Sequence, residues 1–250
     1  MVDFKFIRPM FGGTLSQSQV DGINAIIAAH KRWGDGNLNT LAYALATATW
    51  ETGHAMQPIY EHGAKSYFAK YEPGTAIGKK LGNTLAGDGY RFRGTGLVQL
   101  TGRRNFAFWA KRLGVDLVAH PEMALQPDIA SRILVEGMKI GAFTGAAVGK
   151  YIDDLDENDA EDLREYKEAR RVVNGTDRDD EIAAMAIKYE KALRSPGLVS
   201  QQPVPPTTSG VTPTLPTGLP KVKNVRTIGV LAAIVAALAP LFAKLFGWGS

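Results

Sequence analysis

The chain has 250 residues, 45% of them hydrophobic and 22% charged, which is enough to build a sizeable core in one or two domains. It contains no cysteine, and this excludes disulfides, thiolate catalysis and thiolate metal sites. The net charge of +4 sits in the tail, where Lys221, Lys223, Arg226 and Lys244 face no acid, so residues 1–199 are formally neutral and lack the basic face that nucleic acid binding needs.

The first nine residues have no long apolar run, so no secretory signal peptide is expected. Ser16 or Ser18 is placed to cap a helix running to about Trp33, with Val20, Ile23, Ile26 and Ile27 as its buried stripe. Asn39 is expected to cap a second helix through Leu41, Ala44, Leu45 and Ala48 to about Glu51, with Gly53 as its stop. Between residues 57 and 102 the helical period fails. Glycines and the alternation of Leu97, Val98, Gln99 and Leu100 predict loops with a short strand pair. Further helices are expected at about 103–113, 127–141, 159–173 and 179–193. The acidic run from Asp153 to Glu165 reads as a solvated loop and helix start without chemistry.

Composition changes at Ser195. From there to Pro220 no residue is charged and seven are proline, which predicts an extended linker over 196–220. Residues 221–250 begin with basic residues, continue through a 16-residue uncharged apolar run from Ile228 to Ala243, and reach Trp248. A spanning helix needs about 20 apolar residues. The segment 225–248 is therefore read as a membrane-spanning or membrane-associated helix, kinked at Pro240, with Trp248 at the interface. Residues 1–195 are left as the catalytic unit.

Two acids stand out. Glu51 ends the second helix, where its stripe mates Ala44, Thr47 and Ala48 leave a small, partly apolar hollow. Burial raises a carboxyl pKa, which a general acid needs. Glu61 follows ten residues later on a chain stiffened by Pro58, in a hydrated setting suited to a general base. One carboxyl to give a proton and another to activate water is the requirement for glycosidic cleavage. A gap of roughly 6.5–9.5 Å between them predicts inversion at the sugar. On a strand, Gln99 and Thr101 share a face and, with Asn105, are suited to hold a water and an acetamido group. Arg91 and Arg93 share a face and are expected to pair with the acids or with Asp88. Tyr90, Arg93 and His54 are read as further substrate contacts. His54 and His62 flank the acids, but their spacing matches no metal motif, so neither metal nor cofactor is expected.

Taken together, Trp50-Glu51-Thr52-Gly53, the long run from Gly87 through Gly94-Thr95-Gly96-Leu97-Val98-Gln99-Leu100-Thr101-Gly102 to Phe106, and Arg170-Arg171-Val172-Val173-Asn174-Gly175 resemble family 19 glycoside hydrolases. That family includes chitinases and many bacteriophage endolysins. The resemblance spans roughly residues 20–195. It departs where Trp50 replaces a histidine and Thr95 an arginine. It implies an α+β, predominantly helical, lysozyme-like fold with a small β-hairpin lobe beside a deep cleft. It also implies that Glu51 is the general acid, Glu61 the base and Thr101 the residue that positions water, with Gln99, Asn105 and Asn174 contacting substrate. The expected activity is endolysin-type hydrolysis of bacterial peptidoglycan. Chitin is the alternative substrate, and a non-enzymatic membrane-active or glycan-binding protein is the rival of another class. Such an enzyme is made in a bacterial cytoplasm and acts on the cell wall. It would need a holin or other lysis protein, insertion of the tail, or carriage in a virion to reach it, because basic residues before the apolar run favour a cytoplasmic body.

Overall fold

The computed structural model describes residues 2–155 and 159–195. In chain order they form α1 (Gln17–Trp33), α2 (Leu38–Glu51), β1 (Ile59–Tyr60), α3 (Ala76–Lys80), α4 (Asp88–Arg91), β2 (Thr95–Gly96), α5 (Arg103–Leu113), α6 (Pro127–Ile140), α7 (Asp159–Ala169) and α8 (Asp179–Arg194), with short 3-10 turns between them. The predominantly helical, lysozyme-like architecture expected from the sequence is what the chain adopts.

Local chemistry fixes the first helices. Ser16 Oγ accepts from the Gln19 N–H at 3.2 Å while the Gln19 side chain accepts from the Ser16 N–H at 2.8 Å, a reciprocal cap on α1. The cap of α2 is Asn37, not Asn39. Asn37 is the extended residue at the boundary, and its side chain accepts from the Asn39 N–H at 2.7 Å. Asn39 is already inside the helix and fully buried. Its amide joins distant segments instead, donating to the Leu155 carbonyl at 3.1 Å and accepting from Arg194 at 2.7 Å.

From Asn39 to Thr49 every residue of α2 is buried, so α2 is the central helix. Its Ala42 and Ala46, on the face that carries Thr49, are small enough to admit α8 closely, whose Ala183, Ala186 and Ala192 are also buried. Thr49 and Tyr189 share a hydrogen bond of 2.7 Å across that interface. On the other sides, α1 packs on α6 and α7 packs on α8.

A second lobe, residues 59–102, carries little helix. Strand β1 runs antiparallel to β2, with Ile59 opposite Gly96 and Tyr60 opposite Thr95. Segment 61–94 joins the two strands in place of a tight turn, and α4 within it packs on the 3-10 turn Lys65–Tyr71. The strand expected at Leu97–Leu100 is instead a turn. Thr95 and Leu100 exchange two backbone hydrogen bonds (3.1 and 2.9 Å) around it, and Gly96 and Gln99 have φ of 94° and 53°. Leu97, Val98 and Leu100 are all buried, so their apolar character reflects turn packing and not alternation between two faces. Gln99 and Thr101 therefore do not share a strand face.

The helix expected at 159–173 stops at Ala169 and tightens into a 3-10 turn, Arg170–Val172. Among the described residues no helix is long and apolar enough to cross a membrane. The linker 196–220 and the apolar segment 225–248 lie outside the described residues.

Candidate active site

The helical body supplies Glu51. It is the last residue of α2, 7% exposed, beside the buried Ala44, Thr47 and Ala48 that the helical spacing predicts. Its partner lies 119 residues further along the chain. Arg170, fully buried on the 3-10 turn after α7, donates from Nη2 to Glu51 Oε1 at 3.0 Å. Arg170 also donates from Nε to the Asp177 carbonyl at 2.8 Å, which fixes its plane. Burial pushes the Glu51 carboxyl above the usual carboxylate range, and the Arg170 charge opposes that shift without cancelling it. Several buried polar atoms here lack protein partners: Arg170 Nη1, the amide of Asn174, and the hydroxyls of Thr47 and Tyr43. Tyr43, Thr47 and Glu51 are four residues apart along one face of α2.

The second lobe supplies Glu61, directly after β1 and 6% exposed. Both of its oxygens accept hydrogen bonds. Tyr71 Oη donates to Oε1 and the Gly94 N–H donates to Oε2, each at 3.1 Å. Its own N–H donates to the Gly94 carbonyl at 2.7 Å, so the residue is pinned at backbone and side chain together. Gly94 explains the close approach. A Cβ there would lie 2.7 Å from Gln99 Oε1 and 3.0 Å from Glu61 Oε2, so no other residue leaves both side chains in place. Glu61 opens onto a groove of about 420 Å³ that Tyr60, His62, Tyr90 and Arg93 also line.

The structure brings one predicted residue, Gln99, to Glu61, and links Thr101 and Asn105 to Gln99 through the backbone. Gln99 meets Glu61 across Gly94 and donates from Nε2 to the Gly96 carbonyl at 3.2 Å, leaving Oε1 buried without a partner. Thr101 Oγ1 donates to the Gln99 carbonyl at 2.8 Å, and Asn105 Nδ2 donates to the Thr101 carbonyl at 2.7 Å. These three are linked through backbone carbonyls at the head of α5. Arg93 is clamped between aromatic rings, its guanidinium carbon 3.8 Å from the Tyr60 centroid and 4.2 Å from that of Tyr90.

Other residues lie elsewhere. His54, with a positive φ of 68°, sets its ring edge-on to Phe11 at 5.9 Å, away from the groove lining. Burial lowers its pKa. Asn174 is fully buried, and its N–H donates to the carbonyl of Arg170, the partner of Glu51, at 2.9 Å. Arg91 and Arg93 do not hold Asp88. Arg91 donates to the Val118 and Ala119 carbonyls, and Arg103 binds Asp88 through two hydrogen bonds of 2.6 and 2.7 Å. Asp88 also accepts from the Thr84 and Leu85 N–H groups. Burial raises the Asp88 carboxyl, but these donors outweigh it and hold the pKa at about 2. Among the described residues no three His, Asp or Glu side chains come together as a metal site.

Sequence reasoning missed Arg170 as the partner of Glu51, Tyr71 as the partner of Glu61, and Tyr60 as half of the arginine clamp. For Arg170 a signal was present: a buried helix-end carboxylate needs a cation, and Arg170 falls within a segment that already resembles the family.

No protein-family model matches the chain, and no curated protein matches it. Solved structures do. Chitinase C from Streptomyces griseus HUT6037 aligns with a TM-score of 0.50 at 18% identity, over 77% of this chain and 76% of that one. A bacterial family 19 chitinase aligns with a TM-score of 0.45 at 16% identity, over 77% of this chain and 95% of that one. At such identity the likeness to chitinase C carries the fold alone: the body of this chain is built like that of chitinase C.

Proposed function

We propose that the chain is a glycoside hydrolase that cleaves β-1,4 bonds of bacterial peptidoglycan, an endolysin-type enzyme. The observation that carries this reading is the contrast between two buried acids. Glu51 is shut into the helical body with a raised pKa, and Glu61 is held by two donors at the wall of an open groove. Two carboxyls in unlike environments divide the work of acid and base. Glu51 gives its proton to the leaving glycosidic oxygen. Glu61 takes a proton from a water that attacks the anomeric carbon from the opposite face, with Thr101 positioning that water, and the configuration inverts. Gln99 and Asn105 hold the sugar near Glu61. The reaction needs no metal.

Segment 225–248 tethers the enzyme to a membrane through the proline-rich linker, and a holin or other lysis protein gives it access to the wall. Chitin is the second reading, favoured by the fold shared with chitinase C. Incubating the full chain with purified peptidoglycan and, in parallel, with N-acetylglucosamine oligomers tests both readings. New reducing ends from peptidoglycan support the first, release from the oligomers alone supports the second, and release from neither refutes hydrolysis.

A further inference from the structure

Arg93, read from the sequence as a substrate contact, lines the groove but takes no part in the hydrolytic steps. The guanidinium lies between the Tyr60 and Tyr90 rings and donates from Nη1 to the Tyr90 carbonyl at 2.8 Å. Other arginines of the body meet carboxylates: Arg103 with Asp88, Arg112 and Arg132 with Glu136, Arg170 with Glu51. Arg93 meets none among the described residues. The nearby acids are engaged elsewhere. Glu61 is bound by Tyr71 and Gly94, and Glu122, felt by the Tyr60 hydroxyl, contacts His120 at 3.3 Å. A second cation, Lys65, lies 5.9 Å from the Tyr90 centroid.

Ordering the long side chain is part of the cost of binding an anion with arginine. Here the two rings and the carbonyl have already ordered it. A stacked guanidinium keeps its edge free to donate two parallel hydrogen bonds to a carboxylate. A neutral N-acetylglucosamine polymer offers that edge hydroxyl and acetamido oxygens but no carboxylate. Peptidoglycan does, because its lactyl substituent and its stem peptides display carboxylates.

We propose that Arg93, clamped by Tyr60 and Tyr90 and assisted by Lys65, is an anion subsite that receives a carboxylate borne by the substrate strand, and that it sets the groove's preference for acidic over neutral amino-sugar strands. The proposal rests on the glycan-hydrolase reading for the groove's occupant, but binding tests it independently of turnover. The test measures equilibrium binding to the full chain and to Arg93→Gln for four soluble strands of equal length. These are an N-acetylglucosamine oligomer, a peptide-bearing peptidoglycan strand, the same strand freed of peptide so that only lactyl carboxylates remain, and that peptide-free strand with its carboxylates converted to methylamides.

Arg93→Gln is expected to weaken binding of an acidic strand by at least about tenfold more than binding of the two neutral strands. Added salt should weaken the acidic strands selectively in the parent and less so in the variant. A selective loss on the peptide-free strand assigns the lactyl carboxylate, and a selective loss on the peptide-bearing strand alone assigns the stem peptide. Equal losses on acidic and neutral strands overturn the proposal. Absence of hydrolysis with the selective binding intact would instead count against the enzymatic reading alone.

Discussion

Replacing Glu51 by Gln separates catalysis from folding, because this residue serves both. A positioned general acid contributes about 10²–10⁴ in rate, so Glu51→Gln should lose at least about a hundredfold in reducing-end release. The structure adds a second effect. Glu51 and Arg170 side chains are 3% and 1% exposed, and among the described residues no other carboxylate forms an ion pair with Arg170. Above its raised pKa, where Glu51 is ionised, removing it from the pair leaves a buried cation, at a cost of about 3–5 kcal/mol. The retained Gln oxygen and the bond from Arg170 to the Asp177 carbonyl hold the loss toward the lower figure. In a body of this size each kcal/mol moves Tm by roughly 2–4 °C, so a fall of about 6–12 °C is expected by circular dichroism. Adding Arg170→Met removes the stranded charge, and Tm should recover while activity stays lost. A Glu51→Gln variant as active as the parent would remove Glu51 from the mechanism. If Tm falls further in the double variant than in the single one, the buried-pair reasoning is wrong.

Three further outcomes follow from the geometry. The pH–rate profile should be bell-shaped. Glu51 must keep its proton, so its raised pKa carries activity above the usual carboxylate range before the alkaline limb falls, and a limb falling near pH 4 would contradict its burial. Gly94→Ala drives a methyl toward Gln99 and Glu61 and should cut kcat at least about tenfold while Tm falls by no more than roughly 12 °C, the limit expected for overpacking of about 1–3 kcal/mol; unchanged kcat refutes the close approach. Asp88→Asn should cost about 2–4 kcal/mol in urea unfolding. In the parent, this carboxylate's contribution is complete above its unfolded value of 3.8 and is lost as pH falls through about 2, so acid unfolding should be less steep in the variant across that window.

Much of this was readable from local sequence. Ser16 with Gln19, the apolar stripe of α1, and the small residues around Glu51 each carry their meaning within a few positions. The failures share a cause. Asn37 and Asn39 are equally good caps by composition, and only tertiary contacts to Leu155 and Arg194 show that Asn39 is spent elsewhere. Leu97 to Leu100 looks like a strand because turn residues packed inward are as apolar as strand residues. Positive φ at Gln99, a non-glycine, has no sequence signal. Arg170 reaches Glu51 across 119 residues, a pairing that no spacing rule encodes. The clamp on Arg93 depends on β1 and β2 lying side by side, which sets Tyr60 opposite Thr95.

The central claim is that Glu51 and Glu61 act from opposite faces of the sugar with a water between them. The most direct test is the anomeric configuration of the first product, followed by proton NMR before mutarotation. The account predicts the α-anomer from a β-linked strand. Initial appearance of the β-anomer would show retention and contradict it.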